Sequence, residues 1–431
     1  MGIKNIIMSS KFTKELENLV KDQVISSEIS EKISQYYRDK NTSGTNRLFI
    51  IFGIFGGLLI GSGIILMLAH NWDHFSRTTK TILAFVPLLI GQFFAGFSIL
   101  KNKSKAWKEA SGTFLFFVVG ASIALVSQIY NIIGDLDSFL LTWIVLCLPL
   151  IYLLRSHAVA LLILILSTNY ATTVGYWNYR NDKIPWAYLA LFFAVLPHYW
   201  MQLKNNSSSN VVSIFNWLLP ISLIITLGTF IESNEVLGFV MYVGLFGLFY
   251  TIGRLPVFNT TRTLRNGLLV LGSLGVVLLC MTFTFRWYWE ELTEWQYDSL
   301  EFYVICILGV FNSLLIGYNI FKTSIKSVNL FQFSYLIFGI LFFLFADRVI
   351  VSVTLMNILV FALGISVIKI GTDTFNFGIL NYGLLIISVL IICRFFDTDM
   401  SFVVRGILFV VVGTGFFITN YMMLKRQKNK N

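Results

Sequence analysis

The stretch TILAFVPLLIGQFFAGFSIL (residues 81–100), followed at once by the charged break KNKSKAWKE (101–109), decides the fold. A helix needs about 20 predominantly apolar residues to cross a hydrocarbon core of about 30 Å. The run has that length, and the break that ends it carries Lys101, Lys103, Lys105, Lys108 and Glu109. The same alternation of apolar run and charged break recurs from Leu48 to Leu424. Backbone polar groups in lipid must pair within their own segment, so uninterrupted apolar runs imply helices and exclude a barrel, whose strands alternate. Composition agrees, because 56% hydrophobic and 16% aromatic residues against 13% charged leave too little charge to cover a water-soluble surface. The fold class is all-α, a polytopic integral membrane helix bundle.

Spans are expected near 48–68, 81–100, 110–133, 139–154, 158–174, 185–203, 211–231, 236–252, 266–285, 301–321, 330–346, 349–368, 377–393 and 401–424, about fourteen transmembrane helices. Two joints, Arg155-Ser-His157 and Asp347-Arg348, lack a Gly, Pro or Asn turn signal, and the sidedness of everything downstream hangs on them. Loops kept in the cytoplasm are enriched in Lys and Arg. Placing residues 1–47 there collects sixteen basic residues from the breaks and the tail on that side, against eight opposite. Both termini are therefore expected to be cytoplasmic. The net charge of +10 is a sidedness signal, and no nucleic-acid partner is implied, since the basic residues form no single reading patch.

Residues 1–47 read as a cytoplasmic amphipathic helical segment and linker, and 48–431 as a multi-span membrane domain with a short cytoplasmic tail. Phe12, Leu16, Leu19 and Val20 mark one apolar face, and Ile29, Ile33, Tyr36 and Tyr37 a second. A short helical hairpin joined near Val24–Ser27 is expected, with residues 12–37 available to a protein partner or the lipid surface. Residues 38–47 read as a flexible linker. In the first span Gly53, Gly57 and Gly61 recur every four residues, a face suited to close helix approach. Cys147, Cys280, Cys306 and Cys393 fall inside proposed spans and read as packing residues.

The motifs Leu19-Val-Lys-Asp-Gln-Val-Ile-Ser26, Ile33-Ser-Gln-Tyr-Tyr37, Asn71-Trp72-Asp73 after a Gly-rich span, and Ser127-Gln128-Ile129-Tyr130-Asn131 occur in this order. Together they resemble a bacterial family of predicted membrane proteins known as domain of unknown function 2157. The resemblance covers about the first 155 residues. Arg394-Phe-Phe-Asp397, Arg405-Gly406-Ile-Leu-Phe409 and Gly413 resemble the C-terminal ends of its long members. It implies a bacterial inner (cytoplasmic) membrane location and brings no catalytic or ligand residues with it.

Polar residues at bilayer depth must find partners or face water, so they are the candidate site. Gln128, Tyr130 and Asn131 cluster toward the outer end of the third span, ahead of Asp135, and suit either interhelical hydrogen bonding or the lining of an outward-facing pocket. Asn71, Trp72 and Asp73 suit a helix cap and the mouth of a cavity, with Trp72 at headgroup level. Arg348 beside Asp347 and Arg394 near Asp397 suit ion pairs at outer helix ends or contact with an anionic headgroup. Gln92, Asn169, His198, Asn312, Asn319 and Asn357 are scattered, and join such a pocket only where packing gathers them. His70, Asp73 and His74 have the i, i+3, i+4 spacing of helical metal ligands but fall in an interfacial loop, so no metal and no cofactor are assigned.

No Asp or Glu lies deep in a proposed span, which disfavours a carrier driven by a buried carboxylate. The segment RWYWEELTEWQYD (286–298) reads as one interfacial helix, aromatic on one side and with Glu290, Glu294, Asp298 and Glu301 on a water-facing stripe. No nucleotide loop, zincin helix or nucleophile elbow is present, which argues against an enzyme. Two readings stand: a protein that transports or flips an amphiphilic, lipid-like or small anionic substrate, and a noncatalytic envelope scaffold or sensor that binds a partner through its N-terminal helices. Membrane lipids are partners in either case.

Overall fold

The computed structural model describes residues 16, 18–33, 72–177, 184–232, 234–259, 261–292, 295–322, 328–397 and 402–428. Among these residues there is helix and no strand. The chain forms two compact units, Met1–Ile82 and Leu83–Asn431.

In the first unit helical residues run to Lys21 and resume from Ser27 to Ile33. Between them Gln23 takes φ 57°, and Val24 N returns to Leu19 O at 2.9 Å, a left-handed helix stop. Ser26 Oγ then accepts Ile29 N at 3.3 Å to start the next turn, and Glu28 pairs with Lys32 at 2.8 Å. The expected linker at 38–47, the span at 48–68 and its three glycines lie outside the described residues, as does any pairing of the hairpin.

From Arg77 onward the apolar runs are helical. In chain order they are α1 (Arg77–Leu100), α2 (Lys105–Tyr130), α3 (Leu136–Cys147), α4 (Pro149–Leu154), α5 (His157–Gly175), α6 (Trp186–Asn205), α7 (Asn210–Leu227), α8 (Glu235–Gly253), α9 (Gly267–Thr282), α10 (Arg286–Glu290), α11 (Leu300–Lys322), α12 (Leu330–Phe345), α13 (Val349–Asp373), α14 (Phe377–Asp397) and α15 (Phe402–Lys428). Among the described residues, nine helical stretches are long and apolar enough to cross a membrane: α1, α2, α3 with α4, α5, α7 on to Phe230, α8, α11, α13 and α14 as far as Phe395. Helices α9 and α12 are apolar but shorter. Both weak joints are real helix ends. Arg155 stops α4 at φ 51°, and Ser156 Oγ caps α5 through Val159 N at 3.2 Å. At the other joint, Arg348 N bonds Phe345 O at 2.8 Å before α13 begins.

The second unit has two large buried clusters, and α8 belongs to both. Met241, Leu245 and Phe249 join the cluster built on α2–α7. Leu237, Val240, Val243 and Tyr250 join the one built on α9 and α11–α14. A helix apolar all round has no face to offer water, and α8 is the most enclosed of the nine candidates, with 67% of its window buried. Glycines set its distance from α9: a Cβ at Gly272 would lie 2.7 Å from Phe246 O, and one at Gly253 2.7 Å from Leu269 N. Asn266 closes the joint, accepting Leu269 N at 3.1 Å and donating to Gly253 O at 2.8 Å. Helices α13 and α14 meet in the same way at Gly364 and Gly383.

The segment 286–298 corrects the interfacial-helix expectation. Among its described residues, Arg286–Glu290 alone is helical, and Glu294 lies outside the described residues. Trp289 is buried, donates Nε1 to Phe283 O at 2.8 Å, and stacks edge-on to Phe283, while Trp295 packs on Phe342 and Phe343. Burying these rings against α12 outweighs keeping a straight helix in the interface. The acidic stripe is consequently broken up. Glu290 pairs with Arg286 at 2.5 Å, Asp298 is exposed, and Glu301 is fully buried, accepting Glu232 N at 2.7 Å and Asn234 N at 2.9 Å.

The α8–α9 contact makes a paired prediction. Gly272→Ala overpacks a backbone contact and should cost about 1–3 kcal/mol. Gly339→Ala on α12, where an added Cβ meets nothing within 4 Å, should instead stabilise by about 0.5–1 kcal/mol through helix propensity. Thermal unfolding of the two variants in one detergent reads the opposite signs.

Candidate functional site

Helices α1 and α2 form a hairpin fixed by small polar side chains. Ser122 Oγ donates to Ala84 O at 2.8 Å and Ser111 Oγ to Ser98 Oγ at 3.1 Å, and all three serines are buried. On its other side α2 receives α3 through Trp143, whose ring covers Gly120 and whose Nε1 donates to Phe116 O at 2.8 Å. Between these two contacts the three helices diverge.

The gap is a cleft of about 890 Å³. Its walls are mostly apolar, with Phe85 and Leu88 from α1, Leu115, Val119 and Ile123 from α2, and Phe139, Leu146 and Leu150 from α3 and α4. Polar groups are fewer: Gln92, Ser122, Ser127, Asp135, Ser138 and Thr142. Asp135 is the one charged residue among those that line it. It holds the N-cap position of α3 yet makes no side-chain cap hydrogen bond, so its carboxylate is not committed to the helix end. Several hydroxyls already donate elsewhere, Thr142 to Ser138 O at 2.7 Å, Ser127 to Ile132 O at 2.9 Å and Ser122 to Ala84 O. What remains facing the cleft from these groups is acceptor capacity. From Asp135 to Leu150 the lining descends fifteen residues, about 22 Å at 1.5 Å per residue, more than half a hydrocarbon core.

Opposite the Asp135 end, α2 is clasped to the start of α5. Glu109 Oε2 accepts Ser156 Oγ at 2.5 Å and Ala158 N at 3.0 Å, and Oε1 accepts His157 N at 2.9 Å. A carboxylate on the open N–H groups of a helix start satisfies donors that lipid cannot. At the end away from Asp135, α2 is thus tied to α5.

The residues singled out from sequence do not converge. Gln128 and Tyr130 are exposed at the end of α2, and Asn131 closes that helix at φ 50°. From α2 the cleft is lined by Leu115, Val119, Ser122, Ile123, Ala124, Val126 and Ser127, and neither Gln128 nor Tyr130 is among its lining residues. Trp72 and Asp73 form an exposed turn with His74, the Lys80 ammonium 5.5 Å from the Trp72 ring, and Asn71 lies outside the described residues. Arg348 is exposed at the start of α13, and among the described residues no ion pair joins it to Asp347. Arg394 reaches from α14 to the α9–α10 junction, donating Nη2 to Thr284 Oγ1 at 3.1 Å with its guanidinium 5.0 Å from the Phe285 ring. Asn357 approaches Thr284 O there at 3.4 Å. The side chain of Asp397 is outside the described residues. Of the scattered polar residues only Gln92 lines the cleft.

A second cavity, about 780 Å³, opens beside the start of α8 between Tyr176, Glu232, Glu235, Phe239, Tyr242 and Glu291. Tyr176 lies just past the end of α5 and donates to Ile225 O at 2.8 Å. Burial pushes its phenol up to about 12, so it remains a neutral donor.

The Glu109 clasp sets a stability test. Glu109→Ala strands three donors and should destabilise the protein by about 2–4 kcal/mol, with Glu109→Gln losing less because the amide keeps one acceptor. Thermal melts of both variants, ranked against wild type, check this.

No curated protein and no solved structure matches the chain. Residues 17–160, which hold the whole cleft and the Glu109 clasp, match the model of the family described as Predicted membrane protein (DUF2157).

Proposed function

We propose that the protein binds an amphiphilic, lipid-like molecule in the α1–α2–α3 cleft and moves it between the bilayer and the Asp135 end of the bundle. The observation that carries this reading is the lining of the cleft, a long apolar wall ending in a carboxylate and hydroxyl acceptors. Such a lining suits an acyl-like chain attached to a head that is cationic or donates hydrogen bonds. A small anionic substrate is disfavoured, because Asp135 would repel it and no Lys or Arg lines the cleft to receive it. On this reading the chain lies in the bacterial inner membrane with about fourteen spans, both termini cytoplasmic and the cleft opening outward, as the basic excess in alternate breaks supports.

The test is photo-crosslinking of amphiphiles with amine, hydroxyl or phosphate heads to the full-length protein in nanodiscs. Asp135→Asn should weaken capture of the amine-headed probe about tenfold, and Thr142→Trp, which fills the cleft from an exposed position, should abolish capture of every probe, both with unchanged melting. Capture that is indifferent to both substitutions removes the cleft as the site.

A second reading, a scaffold that recruits a partner, draws on the exposure of Leu19, Val24 and Ile29 in the N-terminal segment. Under it, deletion of residues 12–37 should release a copurifying protein that the cleft substitutions leave bound, as native mass spectrometry would show.

A further inference from the structure

We infer that His157 and His198, with Lys105 at their open end, form a proton-binding site that joins α2, α5 and α6. Lys105 Nζ stands 2.6 Å from His157 Nε2, and His157 Nδ1 stands 2.9 Å from His198 Nε2. The two rings meet edge to face, 5.1 Å between centroids. Lys105 is exposed, while His157 and His198 are only 8% and 1% exposed, so the chain of contacts runs from the surface into the bundle.

The direction of each hydrogen bond follows from the donor inventory. An ammonium can only donate, so Nε2 of His157 must carry a lone pair and its ring proton must sit on Nδ1. That proton is donated to His198 Nε2, which places the proton of His198 on its own Nδ1. The two imidazoles are thereby held neutral and in a single tautomer each. One further proton cannot enter without breaking a contact between helices. On His157 Nε2 it displaces Lys105 and ends that contact between α2 and α5. On His198 Nε2 it leaves two N–H groups facing each other between α5 and α6.

The charged groups that face the pair are Lys105 and Glu109, both from α2, and α7 presents the uncharged Phe215 ring 6.2 Å from His198. Lys105 and Glu109 are four residues apart on one helix, so a displaced ammonium has a carboxylate on its own helix to turn toward. Glu109 in turn holds the backbone of His157 and Ala158. Proton uptake thus loosens the tied end of α2 through groups already in contact. The site lies at the other end of α2 from Asp135 and does not depend on what the cleft binds.

The experiment is nitrogen NMR of the full-length protein in nanodiscs with ¹⁵N-histidine. The chain has only 4 His, so His157→Gln and His198→Gln assign the signals. In wild type His157 should be the Nδ1–H tautomer at about pH 8, and the signals of His157 and His198 should change in step as pH falls to about 4. Lys105→Met, at an exposed position, should release the lock and bring up the Nε2–H tautomer of His157. The inference is overturned if wild-type His157 is Nε2–H at the higher pH, if the two rings titrate independently, or if neither changes over that range. The wild-type titration decides these points even where a variant fails to fold.

Discussion

In hydrocarbon an apolar side chain gains little by leaving lipid for another apolar side chain, so this bundle cannot be held together by the force that folds soluble proteins. Shape and internal hydrogen bonding must do it, and both are concentrated where helices carry small residues. Gly253 and Gly272 let α8 and α9 touch backbone to backbone, and Asn266 ties the two ends that meet. With α8 fixed in that position, its remaining faces serve both buried clusters. Enlarging either glycine therefore bears on the packing of α2–α7 as well as on that of α11–α14.

The same economy accounts for the cleft. Trp143 is the largest side chain between α2 and α3, and Gly120 is where α2 makes room for it. The indole brings the two helices into register on one side of α2, while Ser122 draws α1 in on another. The cleft lies among these three helices beside those contacts, while Glu109 ties α2 separately to the start of α5. The cleft is the geometric remainder of these ties, and it falls within residues that match the family model.

Much of the fold was legible in the sequence because hydrophobic run length is a direct physical requirement of the bilayer. Each expected span from 81–100 onward coincides with helical residues, though the number that cross the membrane is a separate matter of length and apolarity. The joint at Arg155 carried no turn signature because its stop comes from elsewhere: a left-handed Arg155, and a carboxylate 47 residues upstream that receives Ser156. Segment 286–298 misled for the opposite reason. Its helical periodicity is genuine, but Phe283, Phe338 and Phe342 offer Trp289 and Trp295 more buried contact than an interface does. For the candidate site, sequence drew attention to the end of α2 and to Asp135, and Asp135 lines the cleft, yet only three-dimensional placement separates Ser127, which lines it, from Gln128, which does not.

Polar residues inside the bundle sort by where their donors go. Tyr199 gives its hydroxyl to Asn216, whose amide donates to Arg265 O, and Tyr188, Thr168 and Ser222 close on one another across α5, α6 and α7. These are satisfied links between helices, with nothing left to offer a ligand. Arg394 also links helices, donating Nη2 to Thr284, and is the kind of intramembrane charge that most often marks a site. The residues of the cleft differ. Thr142 spends its proton on its own helix and Ser127 on the turn that follows its helix, and Asp135 does not cap the helix it begins. Acceptor atoms of these three residues thus line the cleft beside the amide of Gln92 and the hydroxyl of Ser138. On the proposed reading, a headgroup that brings its own protons complements those acceptors better than an anion does.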